Sequence, residues 1–110
     1  MRLKRTTTCG QLTAENVNEE VILNGWIAKN RDHGGVIFLD LRDRYGKTQV
    51  TFNPDLDGDI AAEAKRLGME DVVAVRGTVQ LRPDGNVNPN MPTGSIEVIA
   101  TELEVLNEEQ

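Results

Sequence analysis

Apolar and polar residues alternate along "EEVILNGWIAKNR", with Val21, Leu23 and Ile27 on one face, the period-2 pattern of a half-buried strand. A first strand is predicted over residues 20–32. Turn chemistry follows in "HGG", and alternation resumes in "VIFLDLRDR". Ile37, Leu39 and Leu41 make one apolar face there, while Val36, Phe38, Asp40 and Arg42 make the other. That pattern sets a large aromatic, Phe38, among polar residues on the solvent side of the sheet. A tight connection at Gly46 leads into "TQVTF", where Val50 and Phe52 alternate with Gln49 and Thr51 before Pro54 stops the strand. Three sequential strands form a meander.

The period then turns helical in "DLDGDIAAEAKRLGM". Ile60, Ala61, Ala64 and Leu67 share a face, aspartates stand at the start, Lys65 and Arg66 stand toward the end, and Gly68 is placed as the C-cap. "DLDGD" has the acids of a calcium loop but not the distal bidentate glutamate, so it reads as a helix cap. "DVVAVRGTVQL" is a fourth strand with Gly77 marking a bulge or bend, and "SIEVIATELEVLN" is a fifth. Between them "RPDGNVNPNMPTG" reads as a long loop, of a length uncommon without a function. Five strands with a helix between the third and fourth give the element order of an all-β OB-fold. This is the five-stranded Greek-key barrel whose face around strands 2 and 3 takes up oligonucleotides. Another five-stranded barrel would give much the same pattern.

At 110 residues the chain makes one domain with room for one site. No apolar run is long enough for a membrane span, and the basic start runs into threonines instead of a signal sequence. A soluble, cytoplasmic protein with no membrane partner is expected. Cys9, the only cysteine, reads as a small, partly buried hydrophobe. The net charge of −6 argues against nucleic acid when taken whole, but it is unevenly spread: residues 1–49 carry +2 and residues 50–110 carry −8. One face could approach an anion and the other would repel it, so affinity would rest on specific contacts more than on bulk charge.

A nucleophile with its base, a metal-ligand set, a Walker loop and a dinucleotide fingerprint are all missing from the pattern. His33 reads as a surface contact in a turn, and Asp40 and Asp43, interleaved with Arg42 and Arg44, read as a solvated ion-pair ladder. The chain looks like a binder. Unpaired RNA bases are held by stacking on aromatics and by hydrogen bonds to their edges. Phe38, Arg31 and Gln49 come near one another if the first three strands pair as a meander, and they supply those parts. Core and surface roles for the same three residues remain open on the pattern alone.

The motifs "GW", "RDHGGVIFLDLRDRYGKTQV" and "NVNPNMPTGSIEV" together closely resemble the N-terminal anticodon-binding OB-fold domain of bacterial aspartyl-tRNA synthetase, a class II enzyme, over nearly the whole chain. The resemblance implies a single domain, 1–110, with residues 1–8 as an N-terminal extension and 107–110 as the start of a linker to an absent catalytic domain. The chain has neither the phenylalanine-arginine-x-glutamate signature nor the glycine-rich arginine motif of a class II active site. It resembles an excised domain unable to aminoacylate alone. ATP and Mg2+ would serve the absent domain, and no cofactor is expected in this one. The implied partner is a tRNA anticodon loop carrying GUC, and GUU as well if the parent charges both aspartate and asparagine tRNAs. The parent is expected to be a homodimer and the isolated domain a monomer.

Carried over residue by residue, Phe38 would stack on the central uridine with Arg31 and Gln49 contacting it. Arg82, Asn86 and Asn88 would approach the third base, and Glu97 would meet the first, a guanine. His33 and Gly85 resemble the residues of relatives that accept both tRNAs, since a small residue at 85 does not enforce the third base. Thr51 departs from relatives that carry an aromatic there, which removes a second stacking surface. The alternative reading is a generic single-stranded nucleic-acid-binding or protein-interaction OB module, which predicts salt-dominated, sequence-indifferent binding or none.

Overall fold

A computed structural model describes residues 4–83, 87 and 93–106. Strands β1 (Glu20–His33), β2 (Val36–Asp43), β3 (Gly46–Phe52), β4 (Val72–Leu81) and β5 (Ile96–Val105) close in the order β1-β2-β3-β5-β4, and helix α1 (Gly58–Lys65) lies between β3 and β4 in sequence. This is the OB-fold barrel. Among the described strand pairs only the β3–β5 seam is parallel; there Val50 stands opposite Val98 and Thr51 opposite Ile99. The apolar face of each strand fills the interior: Leu23, Ile27, Leu39, Leu41, Phe52 and Val75 are among the side chains with no exposed surface. Each buried side chain of that size contributes about 1.5–3 kcal/mol relative to exposure.

The two hairpins are built differently. Between His33 and Val36 the turn is Gly34 and Gly35, with φ of 63° and 96°. Paired positive φ values match the right-handed twist of the flanking strands. Between Asp43 and Gly46 the turn carries side chains, and Asp43 holds it: Oδ1 accepts from the amides of Tyr45 at 2.8 Å and Gly46 at 3.1 Å. Oδ2 accepts from the Cys9 amide at 2.9 Å. Asp43 is therefore buried and occupied by backbone donors, which corrects the expected ion-pair ladder. Asp40 does pair across strands, with Arg31, Oδ1 to Nη2 at 3.5 Å.

The segment before β1 is bound to the barrel. Thr6 N donates to Ile22 O, its Oγ1 accepts from Ile22 N, and both distances are 2.9 Å. Cys9 is fully buried, and its carbonyl accepts from Thr48 Oγ1 at 2.6 Å. Gly10 packs so closely on the β2–β3 turn that a Cβ there would stand 2.2 Å from Tyr45 O.

α1 is shorter than the pattern suggested. Asp57 caps its start, Oδ1 accepting from Asp59 N at 3.0 Å and Ile60 N at 3.1 Å, as the capping reading of "DLDGD" required. The C-cap is Arg66, not Gly68. Tight bonds from Arg66 N to Glu63 O and from Leu67 N to Ala64 O close the last turn early, and Gly68 N is taken by Asp71 Oδ2 at 2.8 Å. Asn30 on β1 receives the helix end: its Nδ2 donates to Ala64 O at 3.1 Å and Leu67 O at 2.9 Å. The bulge expected at Gly77 is present as a register shift between Arg76 and Gly77 in the β4–β5 pairing.

Candidate nucleic-acid interface

The pleat puts alternate residues of adjacent strands on one outer face, and the register shows which of them meet. Arg31 pairs with Phe38 and Phe38 with Thr51, giving one row across β1, β2 and β3. Lys29 pairs with Asp40 and Asp40 with Gln49, giving a second row beside it. The parallel seam brings Glu97 of β5 next to Gln49 and Thr51. Four strands thus meet at one patch.

Phe38 is half-buried. The Arg31 guanidinium carbon stands 6.0 Å from its ring centroid, and the His33 ring meets it edge-on at 5.5 Å between centroids. An aromatic flanked by a cation and an imidazole on an outer face gives a base a stacking surface with donors beside it. His33 itself is exposed at the end of β1.

A polar chain runs from this ring to β5. Arg31 Nη2 donates to Gln49 Oε1 at 3.4 Å, Gln49 Nε2 donates to Glu97 Oε1 at 3.3 Å, and Thr51 Oγ1 donates to the same Oε1. Gln49, Thr51 and Glu97 are all buried although they sit on the outer face. Arg82 follows β4 and is buried as well; its Nε donates to Ile96 O at 2.8 Å. Burial lowers the Arg82 pKa, and the charges of Asp40 and Glu97 oppose that shift. The side chain stays cationic, because an arginine does not lose its proton in a protein. Two carboxylates and two guanidiniums therefore share the patch, with Lys29 in the row beside them.

Of the residues singled out in the sequence, Arg31, Phe38, Gln49 and Glu97 are brought together here, with Arg82 beside Ile96 at the edge of the same patch. Asn86, Asn88 and Gly85 lie outside the described residues. The pattern missed Asp40 and Thr51 as members of the site. For Asp40 the signal was available, since it alternates with Phe38 on the same face; for Thr51 the partner lies on β5, beyond the reach of local pattern. Among the described residues no group of three or more His, Cys, Asp or Glu could hold a metal ion, and no helix is long and apolar enough to cross a membrane.

Residues 21–106 match the family model for tRNA anti-codon, OB-fold nucleic acid binding domain. The chain is 52% identical over 105 residues to an aspartate--tRNA(Asp/Asn) ligase of Desulfosudis oleivorans, covering 96% of this chain and 18% of the relative. It is 56% identical over 104 residues to the ligase of the same name from Salinibacter ruber, covering 94% of this chain and 16% of the relative. The chain thus spans less than a fifth of these relatives' length. Among solved structures, the asparaginyl-tRNA synthetase of Pyrococcus horikoshii complexed with asparaginyl-adenylate superposes with a TM-score of 0.78 at 30% identity, over 94% of this chain and 22% of that one. An OBody bound to hen egg-white lysozyme superposes with a TM-score of 0.84 at 24% identity, over 99% of both chains, which is a likeness of fold.

Proposed function

This chain belongs to the OB-fold nucleic acid binding domain family, and on that premise we propose that the β1–β2–β3–β5 face reads a tRNA anticodon for an aspartate-tRNA ligase. The observation that carries the proposal is the single patch formed by a half-buried Phe38, the flanking Arg31 and the Gln49–Glu97 chain. The central uridine of the anticodon stacks on Phe38, with Arg31 and Gln49 at its edge. Glu97 accepts hydrogen bonds from the N–H groups of the first base, guanine. Arg82, together with Asn86 and Asn88, meets the third base.

The relatives named for both tRNA(Asp) and tRNA(Asn) support a reader of relaxed third-base specificity, taking GUC and GUU loops alike, with His33 and Gly85 as the residues that leave that base unenforced. The whole protein, in this reading, is a cytoplasmic homodimer that attaches aspartate to tRNA with ATP and Mg2+ through a catalytic domain outside these 110 residues.

Binding of the purified chain to anticodon stem-loops carrying GUC, GUU and GAC tests the proposal. GUC and GUU are expected to bind alike and GAC at least about tenfold more weakly, while Phe38→Ala loses on the order of 1–3 kcal/mol, the worth of one stacked base. Equal binding of all three loops, unchanged in Phe38→Ala, overturns it.

A further inference from the structure

We infer that Thr51 is a positioning residue that aims the Glu97 carboxylate and thereby sets discrimination at the first anticodon base. The inference deepens the anticodon reading above and rests on it.

Three observations converge on this side chain. The first is how the carboxylate is held. Thr51 Oγ1 and Gln49 Nε2 both donate to Oε1 of Glu97. Oε2 accepts from neither, and in this inference it is the oxygen that takes the incoming donor. Two donors on one oxygen also fix the rotation of the carboxylate plane, so the direction in which Oε2 points is a property of residues 49 and 51.

The second is burial. Thr51 is 6% exposed and Glu97 9% exposed. A carboxylate so withdrawn from water needs hydrogen-bond donors, and a guanine N1–H and amino group need an acceptor oxygen held in place. The Thr51 hydroxyl is one of the two side-chain donors that meet this need.

The third is position. Thr51 is the β3 residue directly opposite Phe38 in the antiparallel pairing and opposite Ile99 in the parallel one. It links the row that holds the stacking ring to the carboxylate. No other residue of β3 both pairs with Phe38 and donates to Glu97.

Thr51→Val keeps the shape and removes the donor; Thr51→Ser keeps the donor and removes a methyl group. The readout is the preference of the purified chain for a GUC stem-loop over an AUC stem-loop, with GUC against GAC as the internal control for the second base. A shared structural role would weaken every loop together and leave the ratios alone. The expected result is a first-base preference reduced about tenfold in Thr51→Val, as for loss of a hydrogen bond to a charged group, with second-base preference kept and Thr51→Ser close to the unmodified chain. If Thr51→Val is too unstable to assay, Thr51→Ala against Thr51→Ser carries the same comparison. An unmodified chain that prefers GUC over AUC, together with a Thr51→Val chain that does so equally, overturns this inference and leaves the anticodon reading standing. An unmodified chain that binds GUC and AUC alike removes the Glu97 role, and this inference with it.

Discussion

Asn30, on the rim of β1, closes the C-terminal end of α1: one amide nitrogen donates to both Ala64 O and Leu67 O, at 3.1 and 2.9 Å. The last carbonyls of a helix have no partner within the helix and need one from elsewhere. Here Ala64 O also accepts from Leu67 N, and a strand residue more than thirty positions earlier in sequence supplies the donor to Leu67 O.

Asn30→Ala is expected to leave the barrel intact and to destabilise the chain by about 1–3 kcal/mol, the cost of taking the side-chain donor from Leu67 O, since Ala64 O keeps Leu67 N. A loss of several degrees in the thermal midpoint follows for a domain of this size. Asn30→Asp removes the donor and sets a negative charge against two carbonyls, so it should be the worse of the two. Thermal unfolding of both variants checks the order; an unchanged midpoint in Asn30→Ala means that water serves the helix end equally well.

Two glycines should respond to the same substitution very differently. A Cβ on Gly77 would stand 2.4 Å from Ile99 O and 2.6 Å from Val98 Cγ1, at the bulge where β4 meets β5. Gly34 has nothing within 4 Å of its would-be Cβ but a φ of +63°. Gly34→Ala should therefore cost only the left-handed conformation, about 1–2 kcal/mol. Gly77→Ala, which must displace backbone, should cost more than that, up to about 3 kcal/mol or beyond. Chemical denaturation of the two variants, with equal losses, would contradict the packing at Gly77.

Asp32 links the β1–β2 turn to α1. The Gly35 amide donates to its Oδ1 at 2.9 Å, and Lys65 Nζ stands 3.4 Å from Oδ2. Chiefly the Gly35 amide, and then Lys65, hold this carboxyl below its ordinary value. A carboxyl whose folded pKa is depressed contributes stability above its unfolded pKa and loses it as pH falls through the folded one. The turn contact should therefore persist at neutral pH and fade only on the acid side of the usual aspartate range. Carboxyl carbon shifts followed by NMR should titrate below about 3.9; a midpoint at or above that value contradicts the contact.

Cys9 should be chemically silent. Burial, reinforced by the Asp43 carboxylate, drives its thiol far above the ordinary cysteine range, and the thiolate is the reactive form. At neutral pH a thiol reagent should modify the folded chain at least about a hundredfold more slowly than the denatured one. Rapid labelling of the folded chain would show that the segment around Cys9 opens readily.

The meander, the helix cap at Asp57, the bulge at Gly77 and the outward placing of Phe38 were all legible in the sequence, because each follows from period or from local turn chemistry. The remainder depended on distant pairing. Asp43 looked like one rung of a charged ladder because nothing local reveals that the Cys9 amide folds back onto it. Alternation places Gln49 and Thr51 outward, and local pattern does not reveal that both are buried and donate to Glu97, from a strand more than forty residues later that arrives in parallel register. The early end of α1 reflects the same limit, since Gly68 is the stronger local signal and its amide is claimed by Asp71.

The parallel seam has a consequence for anyone altering this face. The side-chain bonds from Gln49 and Thr51 to Glu97 cross the β3–β5 junction, one of the seams of the closed barrel. In the proposed reading the same few atoms act as recognition surface and as fastener. A library randomised at 49, 51 and 97 to obtain new specificities would therefore be sieved twice, first for chains that can still shut and only then for those that bind. Residue 38, which makes no hydrogen bond across that junction, is the freer place to begin.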